Sequence, residues 1–136
     1  MTDKEEQEKI CPGPIQPPVR IMMMPKDTNA NGTIFGGIIL SHIDLAGAVE
    51  AHRHAPGRVV TVAMDKVEFH APVFVGNLVS FYTRTLRLGR TSVTVKVSVE
   101  VERNYDRSNR EKVTEAEVVY VQIDDNGKPV PLPEKT

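Results

Sequence analysis

A carboxylate in the middle of a largely apolar segment is the clearest candidate for chemistry in this sequence. Asp44 lies within Gly36–Ala51, a run without proline in which Leu40 and Ala48 are one helical turn away on either side. A buried carboxylate is costly unless it is paired, hydrogen-bonded or catalytic, and aspartate is a poor residue for a helix interior. Asp44 is therefore predicted to have a catalytic role. The alternatives are that a structural ion pair holds it or that it faces a solvent gap.

Two glycines come about two turns before this carboxylate, at Gly36 and Gly37. The first N–H groups of a helix lack partners within the helix and lie at the positive end of its dipole. Glycine lets a ligand approach that backbone closely. The pair could thus stabilise a carbonyl oxygen that gains negative charge, as an oxyanion hole does. Alternatively, the glycines serve a tight loop or close helix packing.

The other reactive side chains form no familiar motif. His42 projects from a different side of the helix than Asp44, and His52 and His54 flank the helix end. No HExxH pair, Walker A loop, GxGxxG turn or GxSxG elbow is present. Cys11 is the single cysteine, so neither an internal disulfide nor a cysteine metal site is expected. We predict no metal site and keep His70 as a wall of the binding pocket.

The positions of turn formers and apolar residues predict one helix among several strands. Strict alternation is clearest over 92–103, where every second residue is valine, which predicts a strand with one face buried and one in water. The helix 36–51 is apolar almost all the way round, which is typical of a buried helix. Strands are predicted over 19–24, 59–63, 66–69, 78–88, 92–103 and 112–123.

Short connections favour an antiparallel sheet, and one helix cannot cover a large sheet alone, so a two-fold dimer is expected to hide the bare surface. The chain of 136 residues predicts a single domain over 18–133, with tails at 1–17 and at 134–136. Scattered charges with a net value of -1 argue against a nucleic-acid partner. The charged start is not a secretory signal, no apolar stretch suits a membrane span, and a cytoplasmic location is expected.

The run MPKDTNANGTIFGG over 24–37, with Asp44 seven residues on, resembles the bacterial YciA-type acyl-CoA thioesterases and the related long-chain cytosolic acyl-CoA hydrolases of animals. Further matches over about 19–133 are GRVVTVA, FHAPV, VG, GRTSV, TEA and GKP. The resemblance implies an α+β hotdog fold, in which a curved antiparallel sheet wraps one long buried helix. It also implies a catalytic homodimer with active sites between subunits, and often a homohexamer built as a trimer of dimers.

The same resemblance implies roles for individual residues. Asp44 is the catalytic carboxylate, Asn29 a further catalytic residue, and the amides of Gly36 and Gly37 lie at the oxyanion hole. The turn Gly89, Arg90, Thr91 and Ser92 matches the region that holds the phosphorylated end of coenzyme A, and Arg58 could add a positive charge there. His70 departs from the longer residue of many relatives, which leaves the fine substrate preference open.

Together these features predict hydrolysis of acyl-CoA to a free acid and coenzyme A, with no cofactor. Asp44 acts as general base on water or as a nucleophile. Two alternatives stay open because fold does not fix function. One is an acyl-CoA-binding module without catalysis, and the other is a dehydratase of 3-hydroxyacyl thioesters, which needs a histidine paired with a carboxylate.

Overall fold

The computed structural model describes residues 16–134, which form five strands and one α-helix. The predicted N-terminal tail, with Cys11, lies outside these residues except for 16 and 17, as do 135 and 136 of the C-terminal tail, so those predictions stay open. No helix in the described part of the chain is long and apolar enough to cross a membrane. The elements are β1 (Val19–Met22), a 3-10 turn (Pro25–Asp27), α1 (Gly36–Ala51), β2 (Arg58–Phe69), β3 (Leu78–Leu88), β4 (Ser92–Glu102) and β5 (Arg110–Ile123).

The five strands make one antiparallel sheet in the order β1-β3-β4-β5-β2. The sheet curls around α1, which packs on its concave face against residues of β3, β4 and β5. This confirms the predicted α+β hotdog architecture. The predicted strands over 59–63 and 66–69 are one continuous strand, β2, whose register against β5 shifts twice, after Thr61 and after Asp65.

β4 contributes more buried apolar residues to the core than any other element, as its alternation predicts. Its inward row is at most 1% exposed and consists of Val93, Val95, Val97, Val99 and Val101. The prediction that the opposite face lies in water is wrong at both ends of the strand, because Thr94 and Glu102 are buried too. Glu102 forms an ion pair with Arg20 of β1, which explains how a carboxylate is tolerated there.

The helix is buried on one side only within a single chain. Ile39, Ile43 and Ala46 are at most 2% exposed against the sheet, whereas Leu45 is 59% exposed and Val49 is 53% exposed. The expectation of a wholly buried helix therefore fails for the isolated chain. The physical reason is that one sheet can cover only one face of the helix, whereas α1 has apolar residues on two faces.

The C-terminal segment is extended, and it is hydrogen-bonded rather than frayed. Val130 N–H donates to the carbonyl oxygen of Gln122 at 2.8 Å, and Leu132 N–H donates to that of Arg90 at 2.8 Å. These bonds tie the segment to the end of β5 and to the turn between β3 and β4, so main-chain hydrogen bonds hold it at this end of the sheet.

Candidate active site

Asp44 is fixed from two sides by hydroxyl groups of the sheet. The Thr61 hydroxyl, on β2, donates a hydrogen bond to Asp44 Oδ1 at 2.6 Å. The Tyr120 hydroxyl, on β5, donates to the main-chain oxygen of Asp44 at 2.7 Å. One bond orients the half-buried carboxylate and the other holds the helix backbone that carries it. Asp44 is thus neither buried unpaired nor held by an ion pair in the described chain.

The Tyr120 bond depends on a glycine one turn further along the helix. A Cβ atom at Gly47 would lie 2.2 Å from the Tyr120 hydroxyl oxygen and 2.9 Å from the ring carbon that bears it. Real Cβ atoms do not make contacts this short, so residue 47 has no space for a side chain. Burial raises the pKa of the Tyr120 phenol far above its ordinary value, and the charge of Asp44 raises it further, so the hydroxyl stays a donor.

The start of α1 presents free N–H groups, as predicted. Phe35 occupies the N-cap position and offers no side-chain acceptor. Within the described residues, no acceptor engages the amides of Gly36 and Gly37, whereas Ile38 N–H donates to Phe35 at 3.0 Å. A Cβ atom at Gly37 would lie 2.5 Å from the Phe35 ring. The bare helix end can therefore donate hydrogen bonds to an incoming oxygen atom.

Asp44 and these amides are too far apart to act together within one chain. They lie on the same helix, and seven residues at 1.5 Å each separate Gly37 from Asp44 by about 10 Å along the axis. If a carbonyl oxygen accepts hydrogen bonds from these amides, its carbon atom is therefore out of reach of the Asp44 carboxylate of the same chain.

Asn29 is engaged within its own loop. Its side-chain oxygen accepts from Asn31 N–H at 2.8 Å and from Thr33 N–H at 3.2 Å, while its amide nitrogen donates to the Thr33 hydroxyl at 2.8 Å. No hydrogen bond joins Asn29 to Asp44 in the described chain. A catalytic role for Asn29 stays a prediction. In the structure, its hydrogen bonds shape the loop that leads into α1.

A cavity of about 420 Å³ opens at the start of α1. Phe69 and His70 form its mouth, since both are exposed, and Gly36 lies at the helix end of it. The prediction that His70 is a pocket wall is in agreement with this geometry. The lining consists of Ile34, Gly36, Ile39, Phe69, His70, Ala71, Pro72, Val73 and Thr114.

The other residues predicted to bind substrate gather at the opposite end of the sheet. Gly89 begins the β3–β4 turn, and its N–H donates a hydrogen bond to the carbonyl oxygen of Ser92 at 2.8 Å. The carbonyl oxygen of Thr91 accepts a hydrogen bond from Gln122 N–H at 3.0 Å. Arg90 is exposed in this turn. Arg58, at the start of β2, is exposed and lies 3.8 Å from Asp125. Because β2 spans about 35 Å, one chain does not bring His70 to this basic end.

One cluster contradicts the simple picture of unrelated histidines. His70 Nε2 lies 3.4 Å from Glu68 Oε2, and both groups lie within 4.8 Å of a carboxylate oxygen of Glu115. Lys112 pairs with Glu115 and, through a hydrogen bond, holds the pKa of that carboxyl below its ordinary value. The dehydratase alternative needs a histidine paired with a carboxylate, and His70 and Glu68 are neighbours of these two types because residues 68 and 70 share one face of an extended chain. The pair is open to water.

Thr61, Tyr120 and Thr114 escaped prediction. Each is a hydroxyl residue of a strand; Thr61 and Tyr120 lie within apolar runs, whereas Thr114 is followed by Glu115. A weak signal existed, because a polar side chain on a buried row needs a partner. Naming that partner requires the pairing of β2 with β5 and the position of α1, which no local pattern contains.

Comparison with known proteins shows that the chain is similar to enzymes of one kind. The model of the thioesterase superfamily matches residues 31–106. The acyl-CoA thioester hydrolase YciA of Escherichia coli is 44% identical over 117 residues, which covers 85% of this chain and 89% of that protein.

Solved structures agree with that match. A hexameric hotdog fold thioesterase of Campylobacter jejuni is 45% identical with a TM-score of 0.81, covering 88% of this chain and 91% of that one. A hexameric broad specificity acyl-coenzyme A thioesterase is 40% identical with a TM-score of 0.81, covering 90% and 84%.

The contact between Gly47 and Tyr120 predicts a specific stability effect. Gly47→Ala should lower the free energy of unfolding by about 1–3 kcal/mol, because the added methyl group overpacks a full site. Tyr120→Phe should cost about 0.5–1.5 kcal/mol through the lost hydrogen bond. Thermal and urea unfolding measure both.

The double variant Gly47→Ala with Tyr120→Phe is the matched control. Because the hydroxyl oxygen is the atom nearest to the added methyl group, the two losses should be less than additive. Strict additivity would mean that the helix and Tyr120 do not touch in solution as described.

Proposed function

This chain belongs to the thioesterase superfamily, and we propose from this premise that it hydrolyses acyl-CoA thioesters to a free acid and coenzyme A, with Asp44 as the catalytic carboxylate. The observation that carries the assignment is the Asp44 carboxylate itself, which lies in the middle of a largely apolar helix and is oriented by the Thr61 hydroxyl. The YciA hydrolase and the broad specificity thioesterase, both close in sequence, act on acyl-CoA by name.

Free amides at a helix start and one carboxylate suffice for this reaction. The thioester oxygen accepts hydrogen bonds from the amides of Gly36 and Gly37, which favour the charge that develops on it. Asp44 takes a proton from water as the water oxygen bonds to the carbonyl carbon, and the C–S bond then breaks to release the thiolate of coenzyme A. In the alternative route Asp44 attacks the carbon directly, and water hydrolyses the resulting anhydride. Asn29 orients the water or the carbonyl.

The two halves of this site come from different chains. β2 is an edge strand that carries exposed Val60 and Val62, and it lies beside the uncovered face of α1. Thr61, which holds Asp44, lies toward one end of β2, and Phe69, which contacts Gly36, lies at the other. Antiparallel pairing of two β2 strands about a two-fold axis therefore brings Asp44 toward the partner's Gly36.

This pairing also covers the apolar surface that one chain leaves bare. Leu45 and Val49 would be buried at the dimer interface, together with the unpaired edge of β2. The relatives from Campylobacter jejuni and Yersinia pestis are hexameric. A trimer of such dimers is the corresponding assembly of this chain.

Binding of the substrate divides between the two ends of β2. Arg58 and Arg90, with the turn Gly89, Thr91 and Ser92, supply positive charge and hydrogen bonds for the phosphorylated end of coenzyme A. The acyl group enters the cavity at the start of α1, past His70. The reaction needs water and no cofactor, and its location is proposed to be the cytoplasm.

Replacing the carboxylate tests the assignment. Asp44→Asn should lower kcat by roughly 10²–10⁴-fold, since removal of a general base has that effect. Release of free thiol from short, medium, long and aromatic acyl-CoAs measures it. Asp106→Asn, in the exposed loop after β4, is the matched control and should keep the wild-type rate.

Two outcomes would contradict the assignment. If the wild type binds acyl-CoA and hydrolyses none of the panel, the chain is a binding module. If it dehydrates 3-hydroxyacyl-CoA, and His70→Ala abolishes that reaction while Asp44→Asn does not, the exposed pair of His70 and Glu68 is catalytic instead.

Blocking the edge of β2 tests the dimer. Val62→Lys places a charge on an exposed edge position and should yield monomers without measurable hydrolysis, although Asp44 is intact. Val75→Lys adds the same charge at an exposed loop valine as a control. Light scattering and thiol release read both effects. A fully active monomer of the Val62 variant would overturn the shared site.

A further inference from the structure

Thr114 has a hydroxyl group without a partner. Its side chain is 1% exposed, and its Oγ1 atom is the single buried side-chain polar atom between residues 16 and 134 that makes no hydrogen bond. A buried hydroxyl left unpaired costs roughly 1–3 kcal/mol. Native structures rarely keep such a group unless something else satisfies it, so each case calls for an explanation.

Thr114 places its hydroxyl on the row of β5 that faces the core. On β5 the residues that face the core alternate, and the other members of this row near Thr114 are Ala116, Val118 and Tyr120. Valine has the same shape as threonine and would fit an apolar core without this cost. Tyr120, on the same row, does find a partner in the Asp44 carbonyl.

Thr114 is one of the residues that line the cavity at the start of α1. Ile34, Ile39, Ala71 and Val73 give the cavity apolar walls, and Gly36 places the free helix amides at its other side. A group that enters from the helix end can therefore reach Thr114 without meeting another polar side chain, apart from His70 at the mouth. The cavity has the volume of a small-ligand site.

The ligand that fits is an uncharged oxygen. A carboxylate on the acyl chain would be desolvated between apolar walls without a cation inside the cavity, which is strongly unfavourable. A hydroxyl or a keto oxygen loses less on burial and can pair with the Thr114 hydroxyl, which both donates and accepts. An unsubstituted alkyl chain would leave the hydroxyl unpaired.

We propose that Thr114 is a specificity-determining residue, which binds a hydroxyl or keto oxygen on the acyl group beyond the thioester carbonyl. This inference rests on the proposed thioester hydrolysis and narrows its substrates to oxygenated short acyl-CoAs. One neutral hydrogen bond implies a preference of roughly 3- to 10-fold in kcat/KM over the matched unsubstituted chain.

The experiment compares butanoyl-CoA with 3-hydroxybutanoyl-, 3-oxobutanoyl- and 4-hydroxybutanoyl-CoA. Wild type, Thr114→Val and Thr114→Ser are assayed by thiol release. Wild type and the serine variant, which keeps the hydroxyl, should prefer at least one oxygenated chain, and the valine variant should lose that preference. Because valine removes an unpaired polar group, its Tm should not fall.

The same four esters are titrated into Asp44→Asn protein by calorimetry, with and without Thr114→Val. This binding readout keeps the two claims separate. Absence of hydrolysis for every ester would refute the proposed function, while a binding preference lost with valine would still support the Thr114 site. An equal preference in the threonine and valine proteins, or none in wild type, would overturn the inference.

Discussion

One helix packed on one sheet is the constraint from which the rest of this structure follows. The sheet covers the side of α1 that carries Ile39, Ile43 and Ala46, and it leaves Leu45 and Val49 in water. The long edge strand β2 is unpaired beside them. In the proposed dimer, a second copy related by a two-fold axis covers both surfaces, since it supplies a helix for the bare face and a strand for the free edge.

The same constraint sets the chemistry. A helix start can stabilise a developing oxyanion, but its reach is a single turn, and Asp44 lies about 10 Å further along the axis. The hydrogen bonds from Thr61 and Tyr120 fix the position of Asp44, and Gly47 leaves the space that Tyr120 occupies. In the proposed dimer, Asp44 acts with the helix amides of the second chain. In the proposed dimer, the packing that hides apolar surface also brings the catalytic groups together.

Much of this fold could be predicted from local pattern. The valine alternation of β4 is a strong signal because it repeats over several pairs of residues, and the proline-free apolar run of α1 is one because it extends over several helical turns. What could not be predicted depends on contacts distant in sequence. The Tyr120 bond joins residues 76 positions apart, and the burial of Glu102 depends on Arg20 two strands away. The cluster of His70, Glu68 and Glu115 depends on the pairing of β2 with β5, which no local pattern contains.

Complementation between two inactive chains tests the shared site most directly. Chains with Asp44→Asn are mixed and reassembled with chains with Gly37→Val, whose side chain blocks the helix amides, and thiol release from acyl-CoA is measured. In a hybrid dimer one site unites an intact Asp44 with the partner's intact Gly37, so about a quarter of the wild-type rate should return. If the mixture stays as inactive as its components although hybrids form, the carboxylate and the amides act within one chain, and the shared site is wrong.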